Sequence, residues 1–171
     1  MPTGSDLSSN TIVFLRPFFQ IGGTENVMNT LSTQLMKKGY KIVYVLNRTN
    51  DIQTKIAEGV QVISIDSPIP TSGANIFNVL QLSLRMAKQY RKIKALYKGS
   101  VFVALDAGTI SHFWASFFAG LRPLYLWMHS SIKEAYASSR NWVFNKWIFR
   151  LADGTIAITA EMANEVEELL G

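Results

Sequence analysis

Short apolar runs alternate with helix-like segments from one end of this chain to the other, and that alternation limits the fold more than any other feature. Residues 11–16, 41–46, 60–65, 101–105, 123–128 and 154–158 read as strands. These runs are apolar almost throughout, as strands are when both faces of a sheet are covered. Between them, residues 24–38, 75–97, a segment running from Ala107-Gly108-Thr109 to about Ala119, 141–151 and 161–170 read as helices. Lys37 and Lys38 lie in the last turn of the first helix and Gly39 stops it. The predicted fold class is α/β: a doubly wound, mostly parallel, six- to seven-stranded sheet with helices on both faces, Rossmann-like. Residues 11–171 form one domain, preceded by a polar, Ser-rich and flexible stretch over 1–10. Residues 67–73, with Pro68 and Pro70, read as a loop.

Such sheets bind ligands outside the C-terminal ends of their strands. Gly22 and Gly23 stand there, between the first strand and the first helix. Bare backbone N–H groups at the positive end of a helix dipole hold phosphate or carboxylate without a side chain, and glycine lets a ligand approach the backbone. Strand–Gly–helix corners also occur for structural reasons alone. Asp106 to Thr109 and His129 to Ser131 follow later strands and fall on the same edge. Each has a plainer reading beside the functional one: Asp106 as an N-cap, His129 as a polar residue satisfying local backbone. His112 matches no motif and reads as a satisfied or surface histidine. Glu25 suits the first helical turn whatever the function.

Composition removes several chemistries. There is no cysteine, hence no disulfide and no thiolate metal site, and the two histidines are far apart. No metal and no cofactor is expected. No apolar stretch is long enough to span a bilayer as a helix, and residues 1–10 lack the apolar region of a secretory signal. These features suit a cytoplasmic protein. Of 17 basic residues, eleven fall in 76–150 against two acidic ones, Asp106 and Glu134, while 151–171 hold five acidic residues and no basic one. Arg85, Lys88, Arg91, Lys92, Lys94 and Lys98 take one side of the long helix, opposite an apolar stripe of Val79, Leu82, Met86, Tyr90, Ile93, Leu96 and Tyr97 within roughly 120° of arc. Trp142 and Trp147 interleave with Arg140, Lys146 and Arg150. Basic residues among tryptophans suit the interface of an anionic membrane, with the protein peripheral on its inner face. The plainer reading is a solvated helix face. No recognition motif points to nucleic acid.

The Gly22 loop lacks both the dinucleotide Gly-x-Gly-x-x-Gly and the triphosphate Gly-x-x-x-x-Gly-Lys-Ser/Thr patterns. Gly22-Gly23-Thr24-Glu25-Asn26-Val27, Leu31-Ser32-Thr33-Gln34-Leu35 and Gly39-Tyr40-Lys41-Ile42, a strand ending in His129, and Leu151-Ala152-Asp153-Gly154-Thr155-Ile156-Ala157-Ile158-Thr159 follow one another along the chain. Together they resemble the N-terminal, acceptor-side domain of the family 4 retaining glycosyltransferases, which have the GT-B fold. The closing helix, ending Leu169-Leu170-Gly171, is similar too. Thr24, Asn26 and Thr159 depart from the family's alanine, arginine and serine; Asn26 removes a positive charge and Thr159 keeps a hydroxyl.

The resemblance implies that Gly22 and Gly23 approach the donor phosphates or the acceptor, that His129 orients the donor sugar as the catalytic residue, and that Asp106, Ser130 and Thr159 line the cleft or touch the acceptor. Partners would be a nucleotide-sugar and a glycan or lipid-linked acceptor, in cell-surface polysaccharide synthesis. The family's second domain carries a two-glutamate signature that Glu161, Glu165, Glu167 and Glu168 do not reproduce; these read as a solvated helix face. The expectation is half an enzyme, inactive alone, whose C-terminal nucleotide-sugar domain is absent or supplied by a partner subunit. The alternative is a non-catalytic, membrane-associated binding or scaffolding subunit with the same fold.

Overall fold

The computed structural model describes residues 10–17, 19–47, 52, 55–65, 76–105, 110–131 and 142–170. Its elements run β1 (Thr11–Arg16), α1 (Gly23–Lys37), β2 (Lys41–Leu46), β3 (Gln61–Ser64), α2 (Ile76–Leu96), β4 (Val101–Leu105), α3 (Ile110–Ala119), β5 (Leu124–Met128), α4 (Trp142–Leu151), β6 (Gly154–Ala157) and α5 (Ala160–Leu170). The six strands form one sheet in the order β3-β2-β1-β4-β5-β6, and every adjacent pair is parallel. The winding reverses between β1, which pairs through Val13 with Val43 of β2, and β4, whose Phe102 faces Val13 on the other side. The predicted doubly wound α/β sheet is therefore present, with the ligand-binding switch point between the C-terminal ends of β1 and β4. Residues 1–9 and 66–75 lie outside the described residues.

Alternate side chains of each central strand enter two cores. On one face, Val13, Leu15, Val43, Val45, Phe102, Ala104, Leu124, Leu126 and Met128 pack with Met86 and Tyr90 of α2, Phe113 of α3, Ile148 of α4 and Val166 of α5. On the other, Phe14, Ile42, Tyr44, Leu46, Val103, Leu105 and Trp127 pack with Met28 of α1. Burial on both faces is the physical reason these strands read as unbroken apolar runs.

Apolar periodicity does not account for every buried or exposed position on two helices. On α1, Val27 and Leu31 are exposed, while Glu25, Met28 and Ser32 are buried. Polar residues hold two places in the buried stripe, beside Met28 and the partly buried Leu35. Ser32 is accommodated because its hydroxyl lies 2.8 Å from that of Tyr44, which also donates to the Met28 carbonyl at 3.2 Å. Burial pushes the Tyr44 phenol up to about 12, against the opposing Ser32 hydrogen bond. On α2, Leu96 sits at the margin of the apolar arc and is 74% exposed rather than in the core.

At the N-terminal edge of the sheet a polar clasp joins β5 to the α4–β6 turn. Asp153 Oδ2 accepts from the Leu124 N–H and from Arg122 Nη1, both at 2.7 Å, and Arg122 Nη1 also donates to the Leu151 carbonyl at 2.8 Å. Partial burial pushes the Asp153 carboxyl up, but the Leu124 N–H and the Arg122 guanidinium outweigh it and hold the group below its usual range. Gly154 follows because a Cβ there would stand 3.0 Å from the Tyr125 ring.

Candidate functional site

The β1–α1 corner and the exit of β5 lie at the C-terminal edge of the sheet; Asp106 and Ala107-Gly108-Thr109 lie outside the described residues. Gly22 is extended and precedes α1 as its N-cap, with no side-chain cap. The first intrahelical bond runs from the Asn26 N–H to the Gly22 carbonyl at 3.3 Å, so the N–H groups before Asn26 have no acceptor within the helix. Gly23 is the first helical residue.

The two glycines serve different ends. A Cβ on Gly23 would meet nothing within 4 Å, whereas a Cβ on Gly22 would stand 2.7 Å from Glu25 Oε2. Glu25 cannot easily yield. It is buried, its Oε1 pairs with Arg16 Nη2 at 2.8 Å, and the Gln20 N–H donates to the same oxygen at 3.3 Å. The last side chain of β1 thus grips the first turn of α1 and ties down the loop between them. Gly22 leaves room for that grip, and Gly23 leaves open space above the helix N-terminus.

His129 follows β5 and is half-buried. Its ring lies over that of Trp127, 4.7 Å between centroids and inclined by 38°. Trp127 in turn meets Phe14 of β1 at 5.8 Å. β4 separates those two strands, which places them about 10 Å apart, and the rings span the gap. A row of rings therefore runs through the core on the α1 side of the sheet, from Phe14 of β1 by way of Trp127 to His129.

Other expected residues have local duties. Ser130 is exposed beside His129. Thr159 Oγ1 accepts from the Met162 N–H at 3.2 Å and caps α5. Glu165 is not on a solvated face: it is buried, and Ser131 Oγ donates to its carboxylate at 2.8 Å, which fastens the β5 exit to α5. His112 is buried against α2, its Nδ1 sharing a 2.6 Å hydrogen bond with the Tyr90 hydroxyl, and burial pulls it down to about 3. It lies in the first turn of α3, turned into the core. Arg85, Lys88, Arg91 and Lys92 are exposed on α2, and Trp147 is exposed on α4; the side chain of Trp142 lies outside the described set. Among the described residues no group of three or more histidines and carboxylates could hold a metal ion, and no helix is long and apolar enough to cross a membrane.

Arg16, Trp127 and Glu165 escaped the sequence reading. Arg16 did leave a signal: a lone cation closing an apolar strand, nine residues before an acidic residue in the first turn of the next helix. Trp127 left none, because a tryptophan inside an apolar strand reads as core.

No curated protein sequence matches the chain significantly. Among solved structures, it is similar to a protein described as the UDP-N-acetylglucosamine 2-epimerase of Listeria monocytogenes, with a TM-score of 0.61 at 11% identity over 94% of this chain and 41% of that one. A second UDP-N-acetylglucosamine 2-epimerase matches with a TM-score of 0.55 at 9% identity, over 92% of this chain and 44% of the other. The chain spans less than half the length of either, and at such identities the likeness is one of fold. The sequence profile of Glycosyltransferase Family 4 matches residues 21–171, from the residue before the glycine pair to the end of the chain, and this protein belongs to that family.

Proposed function

We propose that this chain forms one wall of a cleft in which a sugar passes from a nucleotide-sugar donor to a glycan or lipid-linked acceptor, in the making of cell-surface polysaccharide. The observation that carries the reading is the open helix N-terminus at Gly23 on the same strand edge as His129, whose ring is backed by Trp127. Family membership supports transfer as the reaction class. In this reading the N–H groups at Gly23 and the α1 dipole stabilise negative charge on the donor diphosphate. His129, held at a fixed tilt by Trp127, hydrogen-bonds the donor sugar. The second wall belongs to a further lobe or subunit, which closes the cleft and excludes water from the activated donor.

A panel of nucleotide-sugars, assayed with the chain joined to its second lobe, tests the proposal. Transfer should occur with at least one donor, and His129→Ala should lower kcat/KM by about 10²-fold, the usual cost of a lost transition-state hydrogen bond. Gly23→Val should weaken donor binding while leaving the thermal midpoint unchanged, since its side chain enters open space. Interconversion at C2 of UDP-N-acetylglucosamine without transfer would instead give this chain the chemistry named for its structural neighbours. The 171 residues alone should turn over no donor.

A further inference from the structure

The outer face of α2 carries apolar side chains where solvent should be. At 100° per residue, Phe77, Leu84, Lys88, Arg91 and Ala95 fall within roughly 60° of arc. They lie opposite Val79, Met86, Tyr90 and Ile93, which fill the core. Phe77 is 77% exposed and Leu84 57%. Arg85 and Lys92 flank the same arc, and Leu96 is exposed beyond them. Single exposed apolar residues need no explanation. Two on one line of a helix, among six cations and with no acidic residue between Asp66 and Asp106, form an ordered surface. Solvated helix faces mix the two signs of charge.

We propose that this face docks the protein on an anionic lipid bilayer, with Phe77 and Leu84 inserted among the headgroups and Arg85, Lys88, Arg91 and Lys92 on lipid phosphates. Charge complementarity selects a surface dense in anions. The apolar side chains select one with depth, which a bilayer has and a polyanion such as nucleic acid lacks. α2 extends about 30 Å, enough to lay such a stripe along a membrane plane. α4 lies in the same helical layer, and its Trp147 is 51% exposed with the Arg150 guanidinium 6.0 Å from the ring. That pairing of an amphipathic ring with a cation suits the same boundary. The inference does not rest on glycosyl transfer, and its test reads binding rather than turnover.

Flotation of the full chain with vesicles decides it. Vesicles of equal phosphatidylglycerol and phosphatidylcholine should carry the protein at low salt, pure phosphatidylcholine should not, and high salt should release it. Phe77→Ser with Leu84→Ser should lower partitioning about tenfold. Each cation-to-glutamine change among Lys88, Arg91 and Lys92 should lower it about fivefold, equivalent to about 1 kcal/mol. Lys37→Gln with Lys38→Gln, at the end of α1, should change nothing. Thermal melts of the Phe77, Leu84, Lys88 and Lys92 variants should match the parent, since those side chains stand in solvent, while Arg91, which donates to the Phe118 carbonyl at 3.4 Å, is read against its own melt. Failure to float with anionic vesicles at low salt overturns the proposal. So does partitioning that ignores the Phe77 and Leu84 changes, or equal binding to a single-stranded oligonucleotide that survives them.

Discussion

Glu25 sits buried at the start of α1, where only its partners make its charge tolerable. Removing one member of a buried ion pair strands the other, at a cost of about 3–5 kcal/mol. Arg16→Met should therefore destabilise the protein by that order in urea, and adding Glu25→Gln should recover most of the loss; equal stability of the single and double variants would refute the strut. Gly22→Ala should reproduce part of the defect by pressing on the carboxylate, whereas Gly23→Ala should leave stability near the parent value. His112 acts at the same scale. Its ordinary value is 6.5 and burial holds it near 3 in the folded chain. Between these values the unfolded chain binds the extra proton, so this contribution to stability is lost as pH falls below about 6.5, at up to ~1.4 kcal/mol per pH unit. His112→Gln, which keeps an acceptor for Tyr90, should flatten that slope in acid denaturation curves. An unchanged slope would place the acid sensitivity elsewhere.

Strands and helices were legible because their physics is periodic and local. Among the described residues, the six strands and four of the five helices stand within a residue or two of where the pattern puts them, α3 beginning at Ile110 rather than Ala107, and the glycine corner and His129 share the strand edge that alternation implies. What the pattern hid is polar burial. Glu25, Ser32 and Glu165 are polar residues on buried faces, admitted by partners distant in sequence: Arg16, Tyr44 and Ser131. A helical wheel counts apolarity and cannot see such a partner. Asp153 gives the converse lesson. It lies inside one of the segments that resemble the family, yet its contacts are those of a clasp between elements. Asp153→Ala should cost about 1–3 kcal/mol by leaving the Leu124 N–H unsatisfied, measured as a fall in the urea midpoint.

In the whole molecule, the clasp and the candidate site occupy opposite edges of the sheet, with both cores between them. The Arg122–Asp153 clasp closes the N-terminal edge; the glycine corner and His129 take the other. Among the described residues, the Arg16–Glu25 pair and the Ser131–Glu165 bond tie that second edge to the frame. Inheritance can therefore work on the two edges separately. Changes at Gly23 and Ser130 alter what the protein meets without disturbing how it folds, whereas Gly22 and Ser131 beside them belong to the frame, so descendants of one ancestral chain can diverge in preference at the first pair while keeping the second. The same separation would let a designer graft new exit loops onto this sheet and leave the clasp untouched.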